Sequence, residues 1–170
     1  TITFADTGLQ STIAERLLIA RKYLDDNSLF LANYADGVAD VDLHQLVAFH
    51  EARKATATFV SVRPTQMFHS VEVRQDGSVK RIERIDQTSL RMNGGYFVMS
   101  PDIFDYINRG EELVEEPFGR LISKKRLIAY RHDGFWACMD TTKEKVLLDD
   151  MCSCGDMPWC VWREHKREKR

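Results

Sequence analysis

The chain has 170 residues, 44% of them hydrophobic and 29% charged, and 24 basic against 26 acidic side chains leave a formal net charge of −2. That length supports a real core, and so small a charge excludes a global field that would gather nucleic acid or an anionic membrane. No apolar run approaches the roughly 18 residues of a membrane helix, and TITFADTGLQ has no signal-peptide pattern, so a cytoplasmic setting with reduced cysteines is expected.

In chain order, Thr1-Ile2-Thr3-Phe4 reads as a strand and Asp6-Thr7-Gly8 as a turn. Residues 12–24 place Ile13, Leu17, Ala20, Tyr23 and Leu24 on one helical face, and Asp25-Asp26-Asn27 stops that helix. Residues 29–34 read as a short strand buried on both faces. Asp42-x-x-Gln45 has the capping-box pattern and opens a helix with Leu43, Leu46, Val47 and His50 along one side. Residues 55–62 (ATATFVSV) form a second buried strand. Strand, helix, strand, helix, strand points to a parallel α/β sheet with flanking helices.

The middle of the chain alternates. Residues 70–74 and 79–85, joined by Gln75-Asp76-Gly77-Ser78, predict a surface β-hairpin with an Asp-Gly turn. Residues 95–100 (GYFVMS) predict a strand, and Pro101 opens a short helix. A further helix runs from Glu116-Pro117 to about residue 125. Strand pieces follow at 127–130 and 134–139, and residues 141–150 form a last helix. Without repeats or composition shifts, one domain is expected over residues 1–162, with a charged, solvated tail at 163–170 (REHKREKR).

Chemistry is best sought among the acids. Asp42 is a helix cap and Asp40 a solvated loop residue. Asp36 follows an apolar strand and precedes Gly37, where open parallel sheets bind ligands; it suits a hard cation such as Mg²⁺, or else forms a plain Asp-Gly turn. Mg²⁺ is held by one or two carboxylates plus substrate oxygens, and Asp140, also at the end of an apolar stretch, is the second candidate, unless Asp140 or Thr141 simply caps the following helix. Asn93-Gly94-Gly95 offers a sugar or phosphate contact, or a turn between strands. Cys138, Cys152, Cys154 and Cys160 do not have zinc-knuckle spacing and are expected as free thiols. Neither a Walker sequence nor a dinucleotide fingerprint is present.

Read in order, the segments resemble one enzyme family. Tyr34-x-Asp36-Gly37-Val38-Ala39-Asp40 is similar to the Y-G-D-G-V-A-D segment of bacterial glucose-1-phosphate cytidylyltransferases. So are Asp6-Thr7-Gly8, Asn93-Gly94-Gly95 with its aromatic strand, Glu116-Pro117, and Gly134-Phe135-Trp136 followed by Met139-Asp140-Thr141. The resemblance implies a Rossmann-like, mixed but mainly parallel sheet of the nucleotide-diphospho-sugar transferase type, with the family's N-terminal part missing. It implies the joining of CTP to glucose 1-phosphate, with CDP-glucose and pyrophosphate as products. Asp36 and Asp140 would be the catalytic Mg²⁺ ligands. Asn93, Gly94, Gly95, Arg84 and Glu116 would contact sugar phosphate, and Arg16 and Gly37 the nucleotide. Arg84 stands near the family's phosphate-pairing lysine. CTP and a sugar 1-phosphate would be the partners of a homo-oligomer. Because the family's glycine-rich triphosphate loop has no counterpart here, these residues alone are expected not to turn over. The alternative is a degenerate relative that keeps the fold for a binding or regulatory role.

Overall fold

A computed structural model describes residues 1–25, 28–65 and 68–163. The stop signal at Asp26-Asn27 and the tail beyond residue 163, with His165, lie outside the described residues. The elements are α1 (Ile13–Ala20), β1 (Phe30–Asn33), β2 (Gly37–Ala39), α2 (Leu43–Arg53), β3 (Ala57–Val62), β4 (His69–Val73), β5 (Val79–Arg84), β6 (Met92–Met99), α3 (Glu116–Ser123), β7 (Leu127–Arg131), β8 (Trp136–Cys138) and α4 (Thr142–Cys154), with 3₁₀ turns at Arg21–Tyr23, Ile85–Gln87, Pro101–Tyr106 and Val161–Arg163.

The main sheet has four strands in the order β1-β6-β3-β7. β1 runs antiparallel to β6, pairing Phe30 with Met99 and Asn33 with Tyr96. The Thr56 N–H donates to Arg126 O at 3.0 Å and the His132 N–H to Ser61 O at 3.0 Å, the ascending register of parallel neighbours β3 and β7. The fold is therefore the mixed, mainly parallel α/β arrangement expected. β2 pairs with β8, and β4 with β5, in two further antiparallel ladders. Gly77, at φ +83°, makes the predicted hairpin turn.

Local chemistry explains several helix ends. The Thr12 side chain accepts from the Glu15 N–H while the Glu15 carboxylate accepts from the Thr12 N–H, so Glu15 completes a capping box. Thr141 and Glu144 repeat that box at α4, and Gly155 ends α4 in the left-handed region at φ +77°. Asp42 directly precedes α2, as its expected capping role requires.

The chain divides into two compact units. The first, Thr1–Asn33 with Leu43–Phe59 and Tyr96–Tyr130, buries Leu46, Phe97, Met99, Ile103, Leu113 and Leu121. Inside it His50 lies between two hydroxyls, Nδ1 at 2.9 Å from Thr58 Oγ1 and Nε2 at 3.0 Å from Ser100 Oγ. Burial lowers the His50 pKa below its ordinary 6.5. The second unit, Tyr34–Asp42 with Val60–Gly95 and Arg131–Arg170, holds the β2–β8 ladder, the hairpin and α4.

Two expectations fail. Residues 1–4 form no strand: Ile2 and Phe4 are 82% and 92% exposed, and no described strand pairs with them. β1 is not buried on both faces, because it lies at the end of the sheet order and leaves Leu31 half exposed. An apolar run specifies strand character but not whether both faces find cover.

Candidate functional site

The second unit gathers Asp36, Gly37, Asn93, Gly94, Gly95, Arg84 and Asp140. After β1 the chain turns sharply, the Tyr34 N–H donating to Gly95 O at 2.9 Å and the Gly37 N–H to Tyr34 O at 3.3 Å. β2 then lies against β8 with Gly37 opposite Cys138, Val38 opposite Ala137 and Ala39 opposite Trp136. The Met139 N–H donates to Asp36 O at 2.9 Å, which extends that ladder. Residue 36 is thus set beside residue 139, one position from Asp140. Two acids separated by 104 positions in sequence are carried at adjoining strand ends, and both are exposed.

Asn93, Gly94 and Gly95 lie within β6, so the turn reading does not hold. Their sequence follows from what closes on the strand. A Cβ on Gly94 would sit 2.9 Å from Val62 Cγ1 and 3.1 Å from Val60 O. Gly95 has φ +74°, and a Cβ there would meet the Tyr34 ring at 2.7 Å. The Trp136 indole N–H donates to Gly94 O at 2.8 Å, and Asn93 Oδ1 accepts from the Gly95 N–H at 3.0 Å. The glycine pair lets two aromatic side chains press on the strand beside the two acids.

Asp140 is not the cap of α4; Thr141 is. The Asp140 N–H donates to Glu144 Oε2 at 3.1 Å. Ligand atoms of Cys138, Asp140 and Glu144 all lie within 4.8 Å of one another. Burial, and then the Asp140 and Glu144 carboxylates, push the Cys138 thiol up to about 11, so it is protonated at neutral pH. A protonated, soft donor does not suit Mg²⁺, whereas exposed carboxylates at two adjoining strand ends do, because this ion keeps several waters. Asp36 and Asp140 offer the carboxylate oxygens that Mg²⁺ takes, while the cluster of Cys138, Asp140 and Glu144 does not include Asp36. Glu144 escaped notice as their neighbour, although Thr141-x-x-Glu144 is a legible capping signature.

The remaining candidates are placed differently. Arg84 grips Asp86, with Nε at 3.1 Å from Oδ1 and Nη2 at 2.7 Å from Oδ2. Arg16 and Glu116 belong to the first unit. Arg16 reaches Ser11 O at 3.1 Å and Thr7 Oγ1 at 3.0 Å, and Glu116 accepts from the Glu112 N–H at 3.1 Å ahead of α3. Asp40, expected to be solvated, is half-buried with Oδ1 2.8 Å from His132 Nε2. No local signal marks that contact, which joins residues 92 positions apart. All four cysteines are free, as expected. No helix among the described residues is long and apolar enough to cross a membrane.

The chain is similar to several known proteins. No family model matches the chain. A Bacillus subtilis protein named probable glucose-1-phosphate cytidylyltransferase is 36% identical over 163 residues, covering 95% of this chain and 63% of the relative. The Salmonella typhimurium glucose-1-phosphate cytidylyltransferase is 35% identical over the same shares. Among solved structures, a Bacillus anthracis protein provisionally named glucose-1-phosphate thymidylyltransferase superposes with a TM-score of 0.61 at 14% identity, over 85% of this chain and 62% of the other. The chain thus spans somewhat less than two thirds of the relatives it matches.

Proposed function

Because this chain is a sequence relative of the glucose-1-phosphate cytidylyltransferases along 95% of its length, we propose that it carries the metal-binding and sugar-binding part of a sugar-1-phosphate nucleotidyltransferase, most specifically one joining CTP to glucose 1-phosphate. The observation that supports this most is the β2–β8 ladder, which sets Asp36 beside Met139 and so brings Asp36 and Asp140 to one edge. Asp36 and Asp140 would hold Mg²⁺, which when bound neutralises phosphate charge and orients an in-line displacement. The Asn93 amide and the backbone of Gly94 and Gly95 would contact the sugar, from a strand against which Tyr34 and Trp136 close. What these residues supply is chiefly position, since phosphoryl transfer asks the protein for little else. The same reading takes the protein as a cytoplasmic homo-oligomer.

The test is calorimetric titration of Mg²⁺ with CTP, followed by Asp36→Asn and Asp140→Asn. Metal-dependent affinity should fall by about a hundredfold in each, since a carboxylate ligand contributes several kcal/mol at such sites. Melting temperature should hardly move, because both side chains are exposed. Unchanged affinity would reject the assignment. A second reading, a non-catalytic relative, is favoured by one observation: Arg84, the residue that would take the phosphate-pairing role, is occupied by Asp86. Absence of any saturable binding of Mg²⁺ or glucose 1-phosphate by the wild type would decide for it.

A further inference from the structure

Arg84 is spoken for, yet three other arginines of the second unit converge on one carboxylate. Arg63 follows β3, Arg91 precedes β6, and Arg131 ends β7. Asp133 Oδ1 lies 3.3 Å from Arg63 Nε and 2.9 Å from Arg91 Nη1, and Asp133 Oδ2 lies 2.9 Å from Arg131 Nε. These guanidinium groups, Arg91 first, lower the Asp133 pKa to about 2, so Asp133 is ionised and cancels one of three positive charges.

The three arginines have unequal duties. Arg91 is the least exposed, its side chain at 20%, and is bonded throughout. It donates from Nε to Ser61 Oγ at 3.0 Å, and from Nη2 to Ser61 O and His132 O, each at 2.6 Å. It ties the ends of β3, β6 and β7 together and holds Asp133 in place. Arg63 and Arg131 are 50% and 66% exposed and present only their Nε edges to Asp133. Arg63 spends Nη1 on Asp86 O at 3.4 Å. Among the described residues, Arg63 Nη2 and both terminal nitrogens of Arg131 meet no acceptor.

We propose that Arg63 and Arg131, held apart and aimed by Asp133 and Arg91, form an oxyanion site for a phosphate group. An internal carboxylate that fixes two guanidinium groups lowers the cost of ordering them, while two uncancelled charges remain to attract an anion. Planar forks with free outer edges match phosphate oxygens in particular. The position agrees, since Arg63 and Arg131 stand at the carboxyl ends of parallel strands, where open α/β sheets bind ligands. Arg91 is two residues from Asn93 and Asp133 three from Trp136. The proposed function is assumed only in choosing a sugar phosphate as one probe.

The test uses the full chain without metal or nucleotide, so its outcome is independent of Asp36 and Asp140. Pyrophosphate, inorganic phosphate and glucose 1-phosphate are titrated separately by calorimetry at low and moderate salt. Saturable binding of at least one is expected, weakening with salt. Arg131→Ala and Arg63→Ala should each cost about tenfold in affinity, as lost charge-assisted hydrogen bonds do, with the melting temperature unchanged. Lysine at either position should recover part of the loss, because it restores charge without the fork. Preference for glucose 1-phosphate would mark a sugar-phosphate subsite, and preference for pyrophosphate a product subsite; both support the site. No saturable binding of any probe, or equal binding by the Arg63→Ala/Arg131→Ala double variant, would overturn it.

Discussion

The two compact units use the same alphabet for different ends. In the first, large side chains disappear: Leu46, Ile103 and Leu121 have no exposed surface, and even a histidine is enclosed between hydroxyls. In the second, the informative residues are those with no side chain or with an exposed charge. Gly94 and Gly95 admit Tyr34 and Trp136, Asp36 and Asp140 stand open, and Arg63 and Arg131 point outward from Asp133. Stability resides mostly where atoms are buried, and binding where burial has been withheld.

The hardest blow to that contrast would come from the core. Leu121→Ala, at 0% exposure, should cost about 2–5 kcal/mol by denaturant titration. If Mg²⁺ affinity of the still-folded variant fell in proportion, stability and binding would not be separable in this way. Gly95→Ala should be the next largest, at about 1–2 kcal/mol for a side chain at φ +74°, with Tyr34 displaced as well. Here the contrast predicts more: sugar-phosphate affinity should fall beyond what the loss of folded protein explains. Thr141→Ala removes the cap of α4 and should cost about 1 kcal/mol in a thermal melt.

Acidity gives the finest cut. His50 has a lowered pKa, so the unfolded chain takes up its proton first as pH falls. Its contribution is complete above 6.5 and declines below it. Asp133 behaves likewise at lower pH: its stabilisation is complete above the ordinary 3.8 and lost as pH falls to about 2. Thermal melts across pH should show two separate declines. His50→Asn should abolish the upper one, and Asp133→Asn should reduce the lower, which Glu111, held by Arg120 at about 2, shares.

Much of this was readable from the chain beforehand, unevenly. The hairpin and the α/β order follow from spacing that spans a few residues. Asp36 and Asp140 stood out because each ends an apolar stretch, and the resemblance paired them. The glycine pair was misjudged as a possible turn, because the crowding by Tyr34 on Gly95 and by Trp136 on Gly94 comes from residues 61 and 42 positions away. The Asp40–His132 and Arg63–Asp133 contacts were hidden for the same reason. Arg84 was chosen for its place beside the family's lysine, without regard for an aspartate two residues on. A sequence shows which charges exist, but only the folded chain shows which remain unspent.

The thiols offer a practical use of the fold. Cys138 is buried and its proton tightly held, and Cys160 is buried too, whereas Cys152 and Cys154 stand exposed in the last turn of α4. Alkylating reagents attack thiolates at rates set by access and acidity. Brief maleimide treatment should therefore mark the end of α4 selectively.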